Sequence, residues 1–238
     1  MNSNIEGIDR AECRRALMAV VDAYRFEQTR FYRLLATGRC PSALLLRFAD
    51  SVHRGAQLFC AGLAALVETA PDAEARLVLL ENLMEEEGIH LSPDAGLVVR
   101  PERRHVTLAQ RFRRACGGGE STPDEAGEHP LSPVQQMVAQ GRWLEAACFL
   151  LIGQELKFAA VSGDLFRLLR AAGFAERDLA FFAVHGEADA RHGRQALDLI
   201  VNRIASVEDR RRCLEAADAG ARPWLEMHGG RADERRAA

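Results

Sequence analysis

The chain has 238 residues, 48% of them apolar and 27% charged, which suffices for one full hydrophobic core and excludes a disordered or fibrous protein. Lys and Arg number 31 against 34 Asp and Glu, a net charge of -3, and so balanced a chain lacks the basic field that holds proteins on phosphates, which argues against nucleic acid as a partner. The six cysteines form no C-x-x-C pair, no secretory leader opens the chain, and apolar runs such as Ala61–Val67 and Ala146–Gly153 fall short of the ~18 residues of a membrane span. A cytoplasmic protein with reduced thiols and no membrane contact is expected. Lys157 is the only lysine, which fits a bias of genome composition better than a chemical need.

Apolar residues recur at three- and four-residue steps through most of the chain, so the expected class is all-α. The spacing predicts a first helix from about Arg10 to Ala36, with Leu17, Tyr24, Phe31 and Leu35 on one stripe. Pro41-Ser42 opens a second to about Thr69, and Pro71-Asp72 starts a third, carrying Leu77, Leu80 and Met84 and stopping at Gly88. The pattern breaks up over Ile89–Glu102 and resumes in a helix with Leu108 and Phe112. Gly117–Pro130 reads as a loop. Ser132-Pro133 caps a short helix to about Gln140, followed by helices at about Trp143–Ala172, Glu176–Ala205 and Val207–Gly220. One domain over residues 1–228 is expected, with 229–238 as a polar tail.

Four stretches carry chemistry. In His185-Gly-Glu-Ala-Asp189-Ala-Arg-His192, offsets of four and seven return to nearly the same helical azimuth, so His185, Asp189 and His192 share a face while Glu187 points elsewhere. The competing reading is an exposed polar stripe. Glu155 has Leu151, Ile152, Phe158 and Ala159 as helical neighbours, so it needs a partner from another helix unless it snorkels at the stripe's edge. Among Glu81, Glu85, Glu86 and Glu87, position 86 shares a face with Leu79, Asn82 and Leu83, whereas Glu81 and Glu85 are expected in solvent. His105 begins the helix of Leu108 and Phe112, with His90 as its rival. Three histidines and three carboxylates on separate helices form the type of cluster that holds two irons or an iron–manganese pair.

At these residues the sequence resembles the heme-oxygenase-like dimetal oxidases, iron-containing redox enzymes of the superfamily that includes thiaminase-II-like proteins and pyrroloquinoline quinone synthase. The similarity spans about Val20 to Ala205 and rests on three blocks: Leu80–Gly88, the His105-x-x-Leu-x-x-x-Phe112 helix, and Phe181-Phe-x-x-His185-x-x-x-Asp189-x-x-His192, with Glu155 thirty residues upstream of His185. The resemblance implies a seven-helix heme-oxygenase-like bundle with metal ligands Glu86, His105, Glu155, His185, Asp189 and His192. Glu86 and Glu155 are carried over as catalytic carboxylates too. It further implies two Fe(II), or iron with manganese, and dioxygen as co-substrate. The substrate would be a small amine, amino acid or carboxylic acid undergoing N-oxygenation, C–C cleavage or desaturation in a biosynthetic pathway. A homodimer and an external electron donor belong to the same expectation.

The family's first glutamate and first histidine are usually close, whereas nineteen positions separate Glu86 from His105. His90 keeps the shorter spacing, but Leu91-Ser-Pro-Asp after it does not match the helix that should follow, so His105 is preferred. Local similarity extends to the self-sacrificing para-aminobenzoate synthases of the family. Tyr32 falls at the position of their tyrosine, yet Phe48 and Phe181 replace further tyrosines and Lys157 lies too near Glu155 to match their lysine, so a free substrate is expected. Pocket residues one turn from the ligands would be Phe158, Ser162, Phe181 and Phe182. Two alternatives remain: one metal on His185, Asp189 and His192, or a metal-free member of the superfamily.

Overall fold

The computed structural model describes residues 8–119, 132–185 and 188–227, with backbone alone at 188–190 and 224–227. Helix α1 (Arg10–Ala23) starts under Asp9, whose carboxylate accepts from the Ala11 and Glu12 amides. The single helix expected to Ala36 is in fact broken. Tyr24 and Arg25 are extended, Phe26–Gln28 make one 3-10 turn, and α2 (Arg30–Ala36) begins at Thr29, whose hydroxyl accepts from the Tyr32 amide and donates to the Phe26 carbonyl. Buried Lys157 supports the break from a distant helix by donating to the carbonyls of Val21, at 3.0 Å, and Tyr24, which the end of α1 leaves without helical donors.

After α3 (Ser42–Glu68), Asp72 caps α4 (Ala73–Glu86) by accepting from the Ala75 amide. The apolar residues that mark this helix do not all turn inward. Leu77 and Leu80 are exposed, Met84 is half-buried, and the buried face is Ala75, Leu79, Asn82 and Glu86. Both stripes have helical spacing, so packing against α3 decides which turns inward.

The irregular stretch that follows forms a hairpin, which the sequence reading did not anticipate. Strands β1 (Ile89–Ser92) and β2 (Gly96–Val99) pair antiparallel, Ile89 opposite Val99 and Ser92 opposite Gly96. Gly88 makes the entry at φ 68°, where a Cβ would run into the Arg100 carbonyl. Because its two ends are paired, the hairpin adds length to the chain without carrying it away. Helix α5 (His105–Ala115) therefore starts beside the end of α4, and an ion pair between Arg104 and Glu87 at 2.6 Å fastens the junction.

Helix α6 (Pro133–Ala139) opens with a capping box of Ser132 and Gln135. The expected helix from Trp143 to Ala172 is continuous but not uniform. Between α7 (Trp143–Ala147) and α8 (Lys157–Ala171), the nine residues Cys148–Leu156 are π-helical. The segment expected from Glu176 to Ala205 opens with a 3-10 turn at Glu176–Leu179 and carries α9 (Ala180–Val184) and α10 (Ala188–Val201).

The last helix, α11 (Val207–Met227), runs past the expected stop at Gly220 and through Pro223. Gly220 marks a helix crossing instead of an end. A Cβ on Gly153 would sit 2.5 Å from the Ala217 carbonyl, and one on Gly220 would meet the Phe149 carbonyl, so the two glycines let α11 and the π segment touch backbone to backbone. Beyond Gly119 the expected loop at Gly117–Pro130 lies outside the described residues, as does the tail at 229–238. No described helix is long and apolar enough to cross a membrane, and the six cysteines are free.

Two apolar clusters result. One gathers α1, the C-terminal half of α3, α4, the π segment, α10 and α11 around Leu17, Leu63, Leu79, Leu151 and Ile200. The other gathers α2, the N-terminal half of α3, α5, α8 and α9 around Phe31, Phe48, Phe112 and Phe182. At the seam between them lies a group of buried polar side chains.

Candidate metal site

Five helical elements each carry one of these side chains into the seam: Glu86 from α4, His105 from α5, Glu155 from the π segment, His185 from the end of α9, and His192 from α10. All five are buried. Ligand-capable atoms of Glu86, His105 and His185 lie within 4.8 Å of one another. His105 Nδ1 and Glu86 Oε1 are 2.7 Å apart, yet His105 Nδ1 has no partner in hydrogen-bond geometry. The two thus stand side by side as potential ligand atoms. The His185 Nδ1–H donates to the Phe181 carbonyl at 2.5 Å, which leaves Nε2 as the lone-pair nitrogen, the usual way a ligating imidazole is oriented.

The second half of the site is centred on Glu155. Its Oε1 accepts from Asn82 Nδ2 at 2.8 Å and lies 3.5 Å from His192 Nδ1, while Oε2 is buried with no partner among the described residues. The other nitrogen of His192, Nε2, faces Glu85 Oε2 at 3.3 Å, and Glu85 is held in turn by Arg191 at 2.9 Å. Glu85 is therefore not in bulk solvent as expected. It has the place of a carboxylate that orients a histidine from behind. Cys60 Sγ stands 3.9 Å from Glu86 Oε2 and donates to it.

The electrostatics show a site short of positive charge. Burial opposes charge on His105, but Glu86, with Glu85 and Glu155 beyond it, outweighs burial and raises its pKa. For His192, burial is likewise outweighed by Glu155 and Glu85, and the pKa rises to about 9. Burial raises Glu155 despite His192 and Asn82, and it holds His185 well below the usual histidine range with help from the positive field of His105. The carboxylates thus draw protons onto two imidazoles. A bound cation would replace those protons. Two histidine nitrogens with hard carboxylate oxygens suit iron or manganese, and the orphaned atoms His105 Nδ1 and Glu155 Oε2 are where its bonds would fall.

Of the six residues expected from sequence, five are therefore brought together. The side chain of Asp189 lies outside the described residues, as does Glu187. His185 joins Glu86 and His105, whereas His192 joins Glu155 and Glu85. His105 stands beside Glu86 because the hairpin cancels the eighteen intervening positions. His90 lies on β1, its Nε2 buried without a partner. The residues not anticipated are Asn82, Glu85, Arg191 and Cys60. Asn82 had a signal in the sequence, one turn before Glu86 on the inward face, but the others had none.

A cavity of about 370 Å³ opens onto this group and is lined by Glu86, Glu155 and His185 at one end. Phe158 and Phe181 line it as expected. Phe182 and Ser162 are instead buried in the core, Phe182 against Phe112 with ring centroids 4.9 Å apart, and Ser162 donating to the Ala159 carbonyl. Most of the remaining wall comes from α3, including Val52, Gly55 and Phe59.

The fold is that of a solved domain of unknown function with a heme oxygenase-like fold from Shewanella denitrificans OS217, at a TM-score of 0.61. The two are 15% identical, and the likeness covers 95% of this chain and 97% of that one. A 4-aminobenzoate synthase of Chlamydia muridarum is 28% identical over 209 residues, which cover 84% of this chain and 82% of the relative. Another protein of that name, from Chlamydia trachomatis, is 29% identical over 192 residues, 77% of this chain and 76% of the relative. The family model described as an iron-containing redox enzyme matches residues 51–224, the span that holds every side chain of the seam cluster, and the chain belongs to that family.

Proposed function

We propose that the protein is a dioxygen-dependent oxidase that holds two irons with Glu86, His105, Glu155, His185, Asp189 and His192 and oxidises a small organic substrate. One observation carries this reading: two adjacent sets of buried donors, Glu86–His105–His185 and Glu155–His192, meet at the end of an apolar cavity. The chemistry that iron supplies when bound is the reduction of dioxygen, which amino-acid side chains cannot perform. The chain's own residues supply the rest. Asn82 fixes Glu155, the Phe181 carbonyl fixes the His185 tautomer, and Glu85 fixes His192. Phe158 and Phe181 pack their rings against His185 at centroid distances of 4.7 and 4.3 Å and keep water from that end of the cavity.

The substrate is a free small molecule that enters the cavity, not a residue of the chain. This reading differs from a self-consuming reaction because Phe48 and Phe181 are phenylalanines, and Lys157 is buried with its Nζ donating to backbone carbonyls. A reaction that used Lys157 would first have to break those bonds.

A second reading has its own observation. Glu86, His105 and His185 already form a two-histidine, one-carboxylate set able to hold a single iron, with Glu155 and His192 as its support. Anaerobic loading with Fe(II), followed by metal analysis, separates the two. The dimetal reading expects about two irons per chain in the wild type and about one in both His105→Ala and His192→Ala. A single iron that His105→Ala abolishes and His192→Ala retains establishes the second reading. No iron in a folded wild type defeats both.

A further inference from the structure

The cavity that ends on the cluster has one charged side chain that the cluster does not use. Among its described lining residues the charged groups are Glu86, Glu155 and Arg54, and the rest of the wall is largely apolar, with Phe59, Phe149, Phe158 and Phe181 contributing aromatic surface. Arg54 lies on α3 and is exposed at the solvent side of the cavity. Its guanidinium makes no hydrogen bond or ion pair among the described residues. Half-buried Gln154, the one side-chain amide among the described lining residues, also makes no side-chain hydrogen bond among them. Next to Arg54, Gly55 leaves the entrance clear, since a Cβ placed on it meets no atom within 4 Å.

We infer that Arg54 is the docking point for the carboxylate of the substrate, and that the substrate is an apolar monocarboxylate without an ammonium group. This inference rests on the proposed function, because it takes the cavity to be the substrate's and the cluster to be the reacting end. A guanidinium presents paired N–H donors that match a carboxylate, and Gln154 can donate a further hydrogen bond. A phosphate would bring about -1.5 to -2 charges against a single cation, with Glu86 and Glu155 at the far end of the same space, so one negative charge is what the wall can balance. An ammonium group fits worse. The described acids on the wall are Glu86 and Glu155, and both are engaged in the cluster.

The apolar body of the substrate would then lie along the phenylalanines, with the carbon to be oxidised directed at Glu86 and Glu155. At ~30 Å³ per water-sized unit, a cavity of about 370 Å³ holds about a dozen non-hydrogen atoms. Gly55 becomes a specificity determinant, because any side chain there would take space from the entrance beside Arg54.

The test uses 4-phenylbutyrate and 4-phenylbutylamine, two probes of the right size that share a body and differ in the charge of the head. Binding of each to the anaerobic Fe(II)-loaded protein is measured by calorimetry, with iron content and melting temperature recorded on the same samples. The wild type is expected to bind the acid on the order of tenfold more tightly than the amine. Arg54→Gln should erase that difference by weakening the acid alone, and Gly55→Leu should weaken both probes. The inference is overturned if Arg54→Gln binds the acid as the wild type does, if the amine binds more tightly than the acid, or if neither probe binds. A wild type without iron whose acid binding still depends on Arg54 would remove the proposed oxidase and leave Arg54 as a carboxylate-binding residue of the cavity. Full iron with acid binding that ignores Arg54 would do the reverse.

Discussion

The two apolar clusters are built on opposite plans. The one around α2, α5, α8 and α9 buries seven phenylalanines, and their rings pack edge to face, tilted or stacked through Phe48, Phe112, Phe158, Phe181 and Phe182. The one around the π segment and α11 buries a single phenylalanine, Phe149, and relies on leucine, alanine and direct backbone contact at Gly153 and Gly220. Large rings fill space and hold helices apart, whereas small residues close it. His105 and His185 hang from the aromatic side, and Glu86, Glu155 and His192 from elements rooted in the aliphatic side. The spacing of the donors is therefore set by how two differently packed halves meet.

That contrast can be broken from either side. Phe182→Ala empties a fully buried ring site in the aromatic half and should cost about 4 kcal/mol. For a chain of this size, the melting temperature should drop by about 12 °C in a thermal melt. Gly153→Ala adds one carbon in the aliphatic half, where the neighbours are backbone atoms that cannot step aside, and should cost about 3 kcal/mol. If the two clusters were packed alike, an added methyl would be tolerated and Gly153→Ala would melt with the wild type. The third change leaves both halves intact and acts on the seam alone. Glu85→Gln removes the charge behind His192, and Fe(II) affinity, read by competition with a chelator, should weaken on the order of tenfold without a change in melting temperature of the metal-free protein. Unchanged affinity would show that Glu85 does not orient His192.

What could be read in the sequence, and what could not, follows from the range of the interactions. Helix starts are local, so Asp72 and the Ser132–Gln135 box mark them correctly. The break at Tyr24 was hidden because apolar spacing runs through it and its support comes from Lys157, more than a hundred positions away. The π turn was hidden for a similar reason. Seven of its nine residues are buried, so no hydropathy period reveals a change of pitch from Cys148 to Leu156.

At the site, the residue types and the helices that carry them were legible, but their grouping was not. Glu86, His105 and His185 gather on one side and Glu155 and His192 on the other, a division set by how five separate elements pack. Glu85 looked like one more acid in a charged run, because its surroundings depend on the rotation of α4 against the rest of the bundle. The hairpin had the reverse effect. It made Glu86 and His105 seem far apart in sequence when the pairing of Ile89 with Val99 brings them together.

Lys157 has a consequence beyond the fold. It is the sole lysine of the chain, it is 6% exposed, and its Nζ is committed to two backbone carbonyls. Burial also lowers its pKa, against the pull of Glu27 and Asp22. In the folded protein an amine-selective reagent consequently finds no accessible side-chain amine. Acylation of Lys157 by such a reagent becomes a clock for opening of the core, and one mass increment on one peptide reports it.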